Sequence, residues 1–355
     1  MAYTTIKKPS DYFNTVLHTG NNSSGRTFTG YGHQPDFIWT KVRDSANYNH
    51  TFVDSVRGGD KMLATNSTAI EDAGSHGIIT SWNSDGVTWI DGTNGTYPRL
   101  YYNDNGSLGG DDYVNWSWKA GGTAVSNTDG SITSSVSSNP TSGFSVVTYT
   151  SNGTSGATVG HGLGVAPSMI IVKRRNSAED WGVGHQSLTW NNFLRLNTTG
   201  ASSASAGLWN NTAPDSDKFT LGNSGISNNG SGTTMVAYCF ADVKGFSKFG
   251  SYVGNGSTDG TFVYTGFKPA MVIMKRTDVA QSWIMFDNKR DTYNEATKVL
   301  YPNLTNADDA NNLDLLSNGF KPRSASSFTN GTSNNYIYMA FAEQPLVGDN
   351  PATAR

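Results

Sequence analysis

The chain has 355 residues, a net charge of −3, only 15 % charged side chains and 40 glycines. Soluble domains usually carry about 25 % charged residues, so this surface is expected to rely on neutral amides and hydroxyls. The sequence has no run of Lys or Arg that could neutralise a line of phosphates. Nucleic acid is therefore not an expected partner.

The cysteine content and the hydropathy pattern exclude further classes of protein. Cys239 is the single cysteine, so intrachain disulfides and zinc sites built on thiolates are excluded. The first residues have no apolar core of secretory length, and no run of about 18 apolar residues occurs. We expect a protein made in a cytoplasm, not inserted in a membrane, and without a cofactor.

The same series of predicted elements occurs three times along the chain. A β-rich run comes first and is followed by an Asn/Gly turn. About 14 residues later a Pro opens an apolar run of strand length that ends in a basic residue. Strand, turn and strand predict a β-hairpin. The runs that begin at the Pro are Pro35–Lys41, Pro167–Arg174 and Pro269–Arg276.

Each series ends in a strand with alternating large residues, at 113–118, 235–240 and 336–341. A period of two predicts that one face of each closing strand is buried. Residues 121–143 are rich in Ser, Thr and Gly and predict a linker or a long surface loop. Helical periodicity is confined to 295–304 and 309–316, where a turn or two of helix is expected.

These patterns predict an all-β protein of three repeated antiparallel β-sandwich units of jelly-roll or lectin-like type. The predicted units are 1–120, 144–244 and 245–355, with 121–143 as the linker. A β-propeller is the weaker alternative, because its blades have about 40 to 50 residues and three blades would not close a ring.

One acidic loop is a candidate metal site. Asp104, Asp111 and Asp112 lie in a Gly-rich stretch and offer the oxygen ligands that calcium prefers. The alternative is a hairpin turn built on the Asn-Asp-Asn-Gly sequence, and this is the favoured interpretation. We therefore expect no metal.

Acidic residues elsewhere allow other interpretations. Cleavage of a glycoside needs two carboxyl groups at a distance that sequence alone cannot supply, and Asp54, Asp85 and Asp287 are open candidates. Asp54 is followed three residues later by Arg57, and Asp287 by Arg290. A local salt bridge that pins a turn is the favoured interpretation of these pairs, and recognition of a small ligand is the alternative.

Two tryptophans in loop-like stretches form a candidate ligand site. Trp190 precedes Asn191, and Trp209 precedes Asn210. An exposed aromatic ring beside amide groups can bind a sugar, because the ring packs on C–H groups and the amides bind hydroxyls. Most tryptophans of a β-sandwich belong to its core, which is the competing interpretation. If the rings are exposed, their replacement by Ala leaves the fold intact and weakens binding to cells.

Several stretches of the sequence are similar to those of one domain family. They are Asn139–Tyr149, Val159–Lys173, Gly245–Tyr252 and Gly266–Pro269. They resemble an uncharacterised domain family carried by tailed phages, especially marine and cyanobacterial ones, usually as tail-fibre-like or other virion structural proteins. The resemblance extends from about Pro9 to Glu343 and implies a component of the particle. It implies no catalytic residue.

The leading hypothesis is a non-enzymatic virion protein, part of the tail fibre or receptor-binding apparatus, that contacts the host surface. Its expected partners are other virion proteins, a host surface glycan and further copies of itself, since phage proteins often oligomerise through β faces. A capsid decoration or head-fibre protein is the alternative. A polysaccharide-degrading tail enzyme is the second alternative and requires carboxylates that converge in a groove.

Overall fold

The computed structural model describes residues 4–104, 110–349 and 351–352. Helix is limited there to two turns of 3-10 helix, Pro9–Asp11 and Gln186–Leu188, and one short α-helix, Ala206–Trp209. None of the helices in these ranges has the length and apolar character to cross a membrane. The predicted all-β sandwich class is confirmed, with 43 % of the residues in strands.

We name residues 4–118 segment I, and its strands form two sheets. The inner sheet has the order β1-β9-β3-β4-β5-β6 and the outer sheet the order β2-β8-β7. The strands are β1 (Phe13–Thr19), β2 (Arg26–Thr29), β3 (Phe37–Val42), β4 (Thr51–Asp54), β5 (Lys61–Ala64), β6 (Asp72–Ala73), β7 (Ile78–Asn83), β8 (Gly86–Ile90) and β9 (Asp112–Trp118).

Segment II comprises residues 119–240. Its strands are β10 (Val125–Asn127), β11 (Ser134–Asn139), β12 (Phe144–Asn152), β13 (Thr158–Gly160), β14 (Met169–Arg174), β15 (Gly182–His185), β16 (Asn192–Arg195), β17 (Ser203–Ala204), β18 (Lys218–Thr220) and β19 (Ser231–Phe240). The inner sheet has the order β10-β11-β12-β19-β14-β15-β16-β17, and β13 pairs with β18 in the outer sheet.

Segment III comprises residues 241–349. Its strands are β20 (Ser247–Val253), β21 (Val263–Tyr264), β22 (Phe267–Arg276), β23 (Ile284–Asp287), β24 (Ala296–Val299), β25 (Asp309–Leu316), β26 (Gly319–Pro322) and β27 (Asn335–Pro345). The inner sheet has the order β20-β27-β22-β23, and the outer sheet the order β21-β26-β25-β24.

The three inner sheets share one strand order. In each, the closing strand lies between the strand that opens the repeated series and the strand of the Pro-linked run: β9 between β1 and β3, β19 between β12 and β14, and β27 between β20 and β22. The predicted hairpin is therefore wrong, because the chain leaves the inner sheet after the strand that opens the series and adds a strand to the outer sheet before it returns. The common order supports three related units, but the predicted repeat and its boundaries stay a prediction.

The closing strands are buried on both faces, not on one as their pattern predicts. All the side chains from Tyr113 to Trp118 are less than one-tenth exposed. One face of each inner sheet packs on its own outer sheet, as Ile38 does with Val87 in a core specific to segment I. The other face contributes to one large core that all three segments share.

Three aromatic rings mark the centre of this shared core. Trp118, Phe240 and Phe341 occupy the same register, each opposite the residue that lies two positions after its segment's Pro. Their ring centroids are 6.1 Å (Trp118 to Phe240), 5.5 Å (Trp118 to Phe341) and 6.1 Å (Phe240 to Phe341) apart. The three inner sheets therefore surround a common axis, and we name these rings the axial triad.

Two predictions of local structure are wrong. Residues 121–143 contain β10 and β11, which extend the inner sheet of segment II beyond β12. Ser134, Val136 and Ser137 are buried there. Because two of these buried residues are small and polar, the sequence does not show the alternation of apolar and polar residues that is typical of a strand. The expected helical turns at 295–304 and 309–316 are β24 and β25, because these residues complete the outer sheet of segment III.

Candidate functional site

The two candidate tryptophans lie in the core of segment II. Trp190 is 5 % exposed and Trp209 1 % exposed, and their rings meet edge to face with centroids 5.5 Å apart. Gly184 makes room for both, since a Cβ at this position would lie 2.4 Å from the Trp190 ring and 2.7 Å from the Trp209 ring. The rings are therefore not an exposed sugar platform, and their replacement is expected to disturb the core.

The amides beside these rings bond locally. The Oδ1 of Asn191 accepts from the Thr189 hydroxyl at 2.5 Å, and the Oδ1 of Asn210 accepts from the Ser155 hydroxyl at 3.1 Å. Asn-rich flanks suggested loops; Trp190 does lie in a turn, whereas Trp209 is the last residue of the short α-helix Ala206–Trp209. The two indole rings that precede the amides are nevertheless buried, which the sequence pattern did not reveal.

The acidic loop is only partly within the described residues, because 105–109 lie outside them. Asp112 pairs with Arg43 at 2.8 Å, whereas Asp111 is buried and desolvation raises the pKa of its carboxyl group. Within the ranges that the structure describes, no group of three or more His, Cys, Asp or Glu side chains is placed to hold a metal ion.

The two Asp/Arg pairs form buried ion pairs that also join segments. The Nε of Arg57 lies 2.5 Å from Asp54, and the corresponding distance from Arg290 to Asp287 is 2.6 Å, with all four side chains fully buried. Each Asp also accepts a hydrogen bond from another segment: Asp54 from the Tyr238 hydroxyl at 2.8 Å and Asp287 from the Trp116 indole at 3.3 Å.

Segment II has a histidine at the equivalent position. His185 is opposite Met169 in the sheet, as Asp54 is opposite Phe37 and Asp287 opposite Met271. Its Nε2 donates to the carbonyl of Tyr338 in segment III at 3.2 Å. The same place in each inner sheet therefore holds a polar link to a neighbouring segment, although the chemistry differs.

Three buried lysines form a second set of links. They are the last residue of the first Pro-linked run, Lys41, and the last but one of the other two, Lys173 and Lys275, and each is 0 % exposed. Burial lowers the pKa of each to about 8. Each ammonium group donates to a main-chain carbonyl of a neighbouring segment: Lys41 to Thr305 at 3.3 Å, Lys173 to Thr68 at 3.2 Å and Lys275 to Thr199 at 3.1 Å. The three bonds run in one direction around the axial triad.

A third recurrent feature is a pair of asparagines that sequence reasoning did not identify. In segment II, Asn152 and the buried Asn228 exchange two hydrogen bonds, at 3.0 and 3.3 Å. The same exchange joins Asn21 to Asn103 and Asn255 to Asn330. The first member of each pair lies in the predicted Asn/Gly turn. The signal for its partner was an Asn shortly before each closing strand.

Three histidines, the part-buried His18 and the buried His33 and His185, are held neutral by their partners. The Nε2 of His18 donates to the carbonyl of Tyr102 at 2.7 Å, while its Nδ1 accepts from Asn115 at 3.0 Å. His33 likewise contacts the carbonyl of Ser10 and the hydroxyl of Ser117. One donor and one acceptor per ring suit the uncharged form, and burial lowers the pKa of His18, His33 and His185 to about 4.

Among the described surface features, one open cleft combines an exposed aromatic ring with charged groups. It has a volume of about 650 Å³ and lies between the start of β20 and the end of β21. We name it the edge cleft, because these strands are the outermost ones of their two sheets. Its lining includes Asp242, Lys244, Lys248 and Tyr264.

The hydrogen bonds of the edge cleft define which groups face a ligand. The Nζ of Lys248 lies 2.9 Å from Asp242, whose other oxygen accepts from the main-chain N–H of Phe249 at 2.8 Å. The hydroxyls of Ser247 and Thr265 donate to main-chain carbonyls at 3.0 and 2.7 Å. Asp242, Lys248, Ser247 and Thr265 therefore have partners within the protein, and the Tyr264 side chain of the lining is 56 % exposed.

Comparison with known proteins identifies the family. Residues 8–345 match a domain of unknown function, DUF7483. The chain belongs to the DUF7483 family. A search of curated proteins finds no match to this DUF7483 chain. The family match covers all three segments and both sheets of each.

The buried ion pair predicts a large effect of Arg57→Met. This change leaves the Asp54 carboxylate in the interior without its cation, so we expect a loss of about 3 to 5 kcal/mol in the free energy of unfolding, measured by urea titration with tryptophan fluorescence. Lys8→Met is the control, because Lys8 and Asp11 form an exposed pair of the same spacing at 2.8 Å. It should cost at most about 1 kcal/mol. Equal effects of the two changes would contradict the structural role of Arg57.

The neutral histidines predict a loss of stability on mild acidification. The unfolded chain binds a proton at each His near pH 6.5, whereas folded His18, His33 and His185 bind one only near pH 4. The free energy of unfolding should therefore fall between pH 6.5 and pH 4, by up to about 1.4 kcal/mol per pH unit for each histidine. Urea titrations at several pH values test this. A flat profile in this window, or an unchanged slope in His33→Gln, would contradict it.

Proposed function

We propose that this DUF7483 chain is a non-enzymatic structural component of a virion, located at the tail, that contacts the host surface. The observation that carries the proposal is that several buried polar groups form links between segments. The lysines, the Asp/Arg pairs and a histidine each link an inner sheet to another segment. Such an interior suits a body that must keep its shape while it is exposed on a particle.

The surface supports the same proposal. With 15 % charged residues and many short polar turns, the exterior resembles that expected of a particle protein, which agrees with the sequence resemblance to tailed-phage proteins described above. The loops at the sheet edges are the surfaces that could contact a host. Assembly into a homo-oligomer and contact with other virion proteins stay predictions.

Particle localisation tests the proposal. In the virus whose genome encodes the chain, purified virions are labelled with an antibody to the folded protein and viewed by electron microscopy, while mass spectrometry gives the copy number. We expect label at the tail and a low copy number. An antibody to the major capsid protein is the control for particle integrity.

Two other outcomes change the conclusion. Label over the whole head at a copy number near that of the capsid protein would replace the tail assignment by the capsid decoration alternative. Absence of the chain from intact purified virions would contradict the proposal.

A further inference from the structure

We propose that a groove on the inner sheet of segment II binds a neutral carbohydrate, with uncharged hexose oligomers of a cell surface as the ligand class. The groove has a volume of about 370 Å³. This inference rests on the proposed function for its biological setting, but its chemistry is carried by the groove alone. We name it the hydroxyl groove, because six Ser and Thr side chains line it: Ser126, Thr133, Ser135, Thr148, Thr150 and Thr234.

The hydroxyl groove continues the sheet face that contributes to the shared core. Phe144 and Val146 of β12 belong to that core. Because the side chains of a strand alternate between its two faces, Thr148 and Thr150 lie on the same face, farther along β12. Thr150 is directly opposite Thr234 of β19. Beyond the shared core, the same face therefore carries hydroxyl groups.

Two strands of segment II widen this face. Among the described strands, β10 and β11 have no counterpart in the other two inner sheets, in which β1 and β20 are the edge strands on this side. Ser126 of β10 is opposite Ser135 of β11, and Ser135 is opposite Thr148 of β12. Three hydroxyl-bearing residues therefore lie side by side on neighbouring strands, which are about 4.8 Å apart.

The six hydroxyl groups of the groove have no hydrogen-bond partner within the part of the chain that the structure describes. The corresponding place in segment I is closed, because the Thr19 hydroxyl donates to the opposite Asp112 at 2.7 Å. A hydroxyl group can donate one hydrogen bond and accept two, as the hydroxyl groups of a sugar can. The groove therefore offers a set of donors and acceptors that a polyhydroxylated ligand can match.

The charge of the groove favours a neutral ligand. Arg175 is the one charged side chain among the described lining residues, and it forms two hydrogen bonds of 2.9 Å to the Glu71 carboxylate. Its charge is therefore balanced within the protein. Each Thr also presents a methyl group beside its hydroxyl, so the lining can contact both the C–H and the O–H groups of a sugar ring.

The same lining favours binding over cleavage. Hydrolysis of a glycosidic bond needs two carboxyl groups about 5 to 9.5 Å apart across the bond. The described lining residues include no carboxyl group, and the neighbouring Glu71 carboxylate is engaged by Arg57 and Arg175. The hydroxyl groove is therefore suited to hold a sugar without reaction.

Titration calorimetry on the full chain tests the inference. The probes are maltotriose, cellotriose, laminaritriose and mannotriose, and the charged controls are the trimers of galacturonate and glucuronate. We expect saturable binding of at least one neutral trimer, about tenfold tighter than that of either acidic trimer. The affinity should not change as the salt concentration rises, because no charge pair forms. No saturable binding of any neutral trimer, or equal or tighter binding of an acidic one, would overturn the inference.

Paired Thr→Val changes locate the binding site. Valine keeps the shape and the strand preference of threonine but has no hydroxyl group. Thr150→Val with Thr234→Val should therefore leave the circular dichroism spectrum unchanged and reduce affinity about tenfold. Thr27→Val with Thr88→Val is the matched control and should have no effect, because these residues are also directly opposite each other but their hydroxyls are bonded to each other at 2.9 Å, outside the groove. Unchanged affinity in the groove variant, or an equal loss in the control, would overturn the assignment to this groove.

The outcomes of this test and of particle localisation are independent. Sugar binding is read on the purified protein, whereas localisation is read on virions. Binding without a place in the virion would retain the hydroxyl groove as a sugar site and remove the virion proposal. A place at the tail without binding of a neutral trimer would do the reverse.

Discussion

The structure depends on one constraint, which is that each inner sheet must be covered on both faces. Its own outer sheet covers one face, and the other two inner sheets cover the second. Trp118, Phe240 and Phe341 meet where the three sheets converge. Because burial of apolar surface provides most of the driving force for folding, each segment would lose a large part of it if separated from the other two.

This constraint also explains where the polar groups lie. A charge or amide inside a shared core is tolerated only when it is bonded. The ammonium groups of three buried lysines therefore donate hydrogen bonds to main-chain carbonyls of neighbouring segments; these are Lys41, Lys173 and Lys275. The chemistry of the interior is thus used to hold the segments together. The edge cleft, by contrast, lies at the surface and is lined by Tyr264 together with charged side chains.

The fold class could be predicted from sequence, whereas the arrangement of the sheets could not. The Pro-linked runs form β3, β14 and β22 as expected. Their uninterrupted apolar character was a sign of burial on both faces, but it does not say which sheet provides the cover. For the site, Trp190 and Trp209 looked like loop residues because their neighbours are amides, and the space left by Gly184 is visible only in three dimensions.

The central claim is that the three segments form one cooperative structure around the axial triad. Differential scanning calorimetry of the full chain tests it most directly, because a shared core must melt as a unit. The account predicts one endotherm whose calorimetric and van't Hoff enthalpies agree. Two or three resolved endotherms, each with the enthalpy expected of about 100 residues, would contradict it.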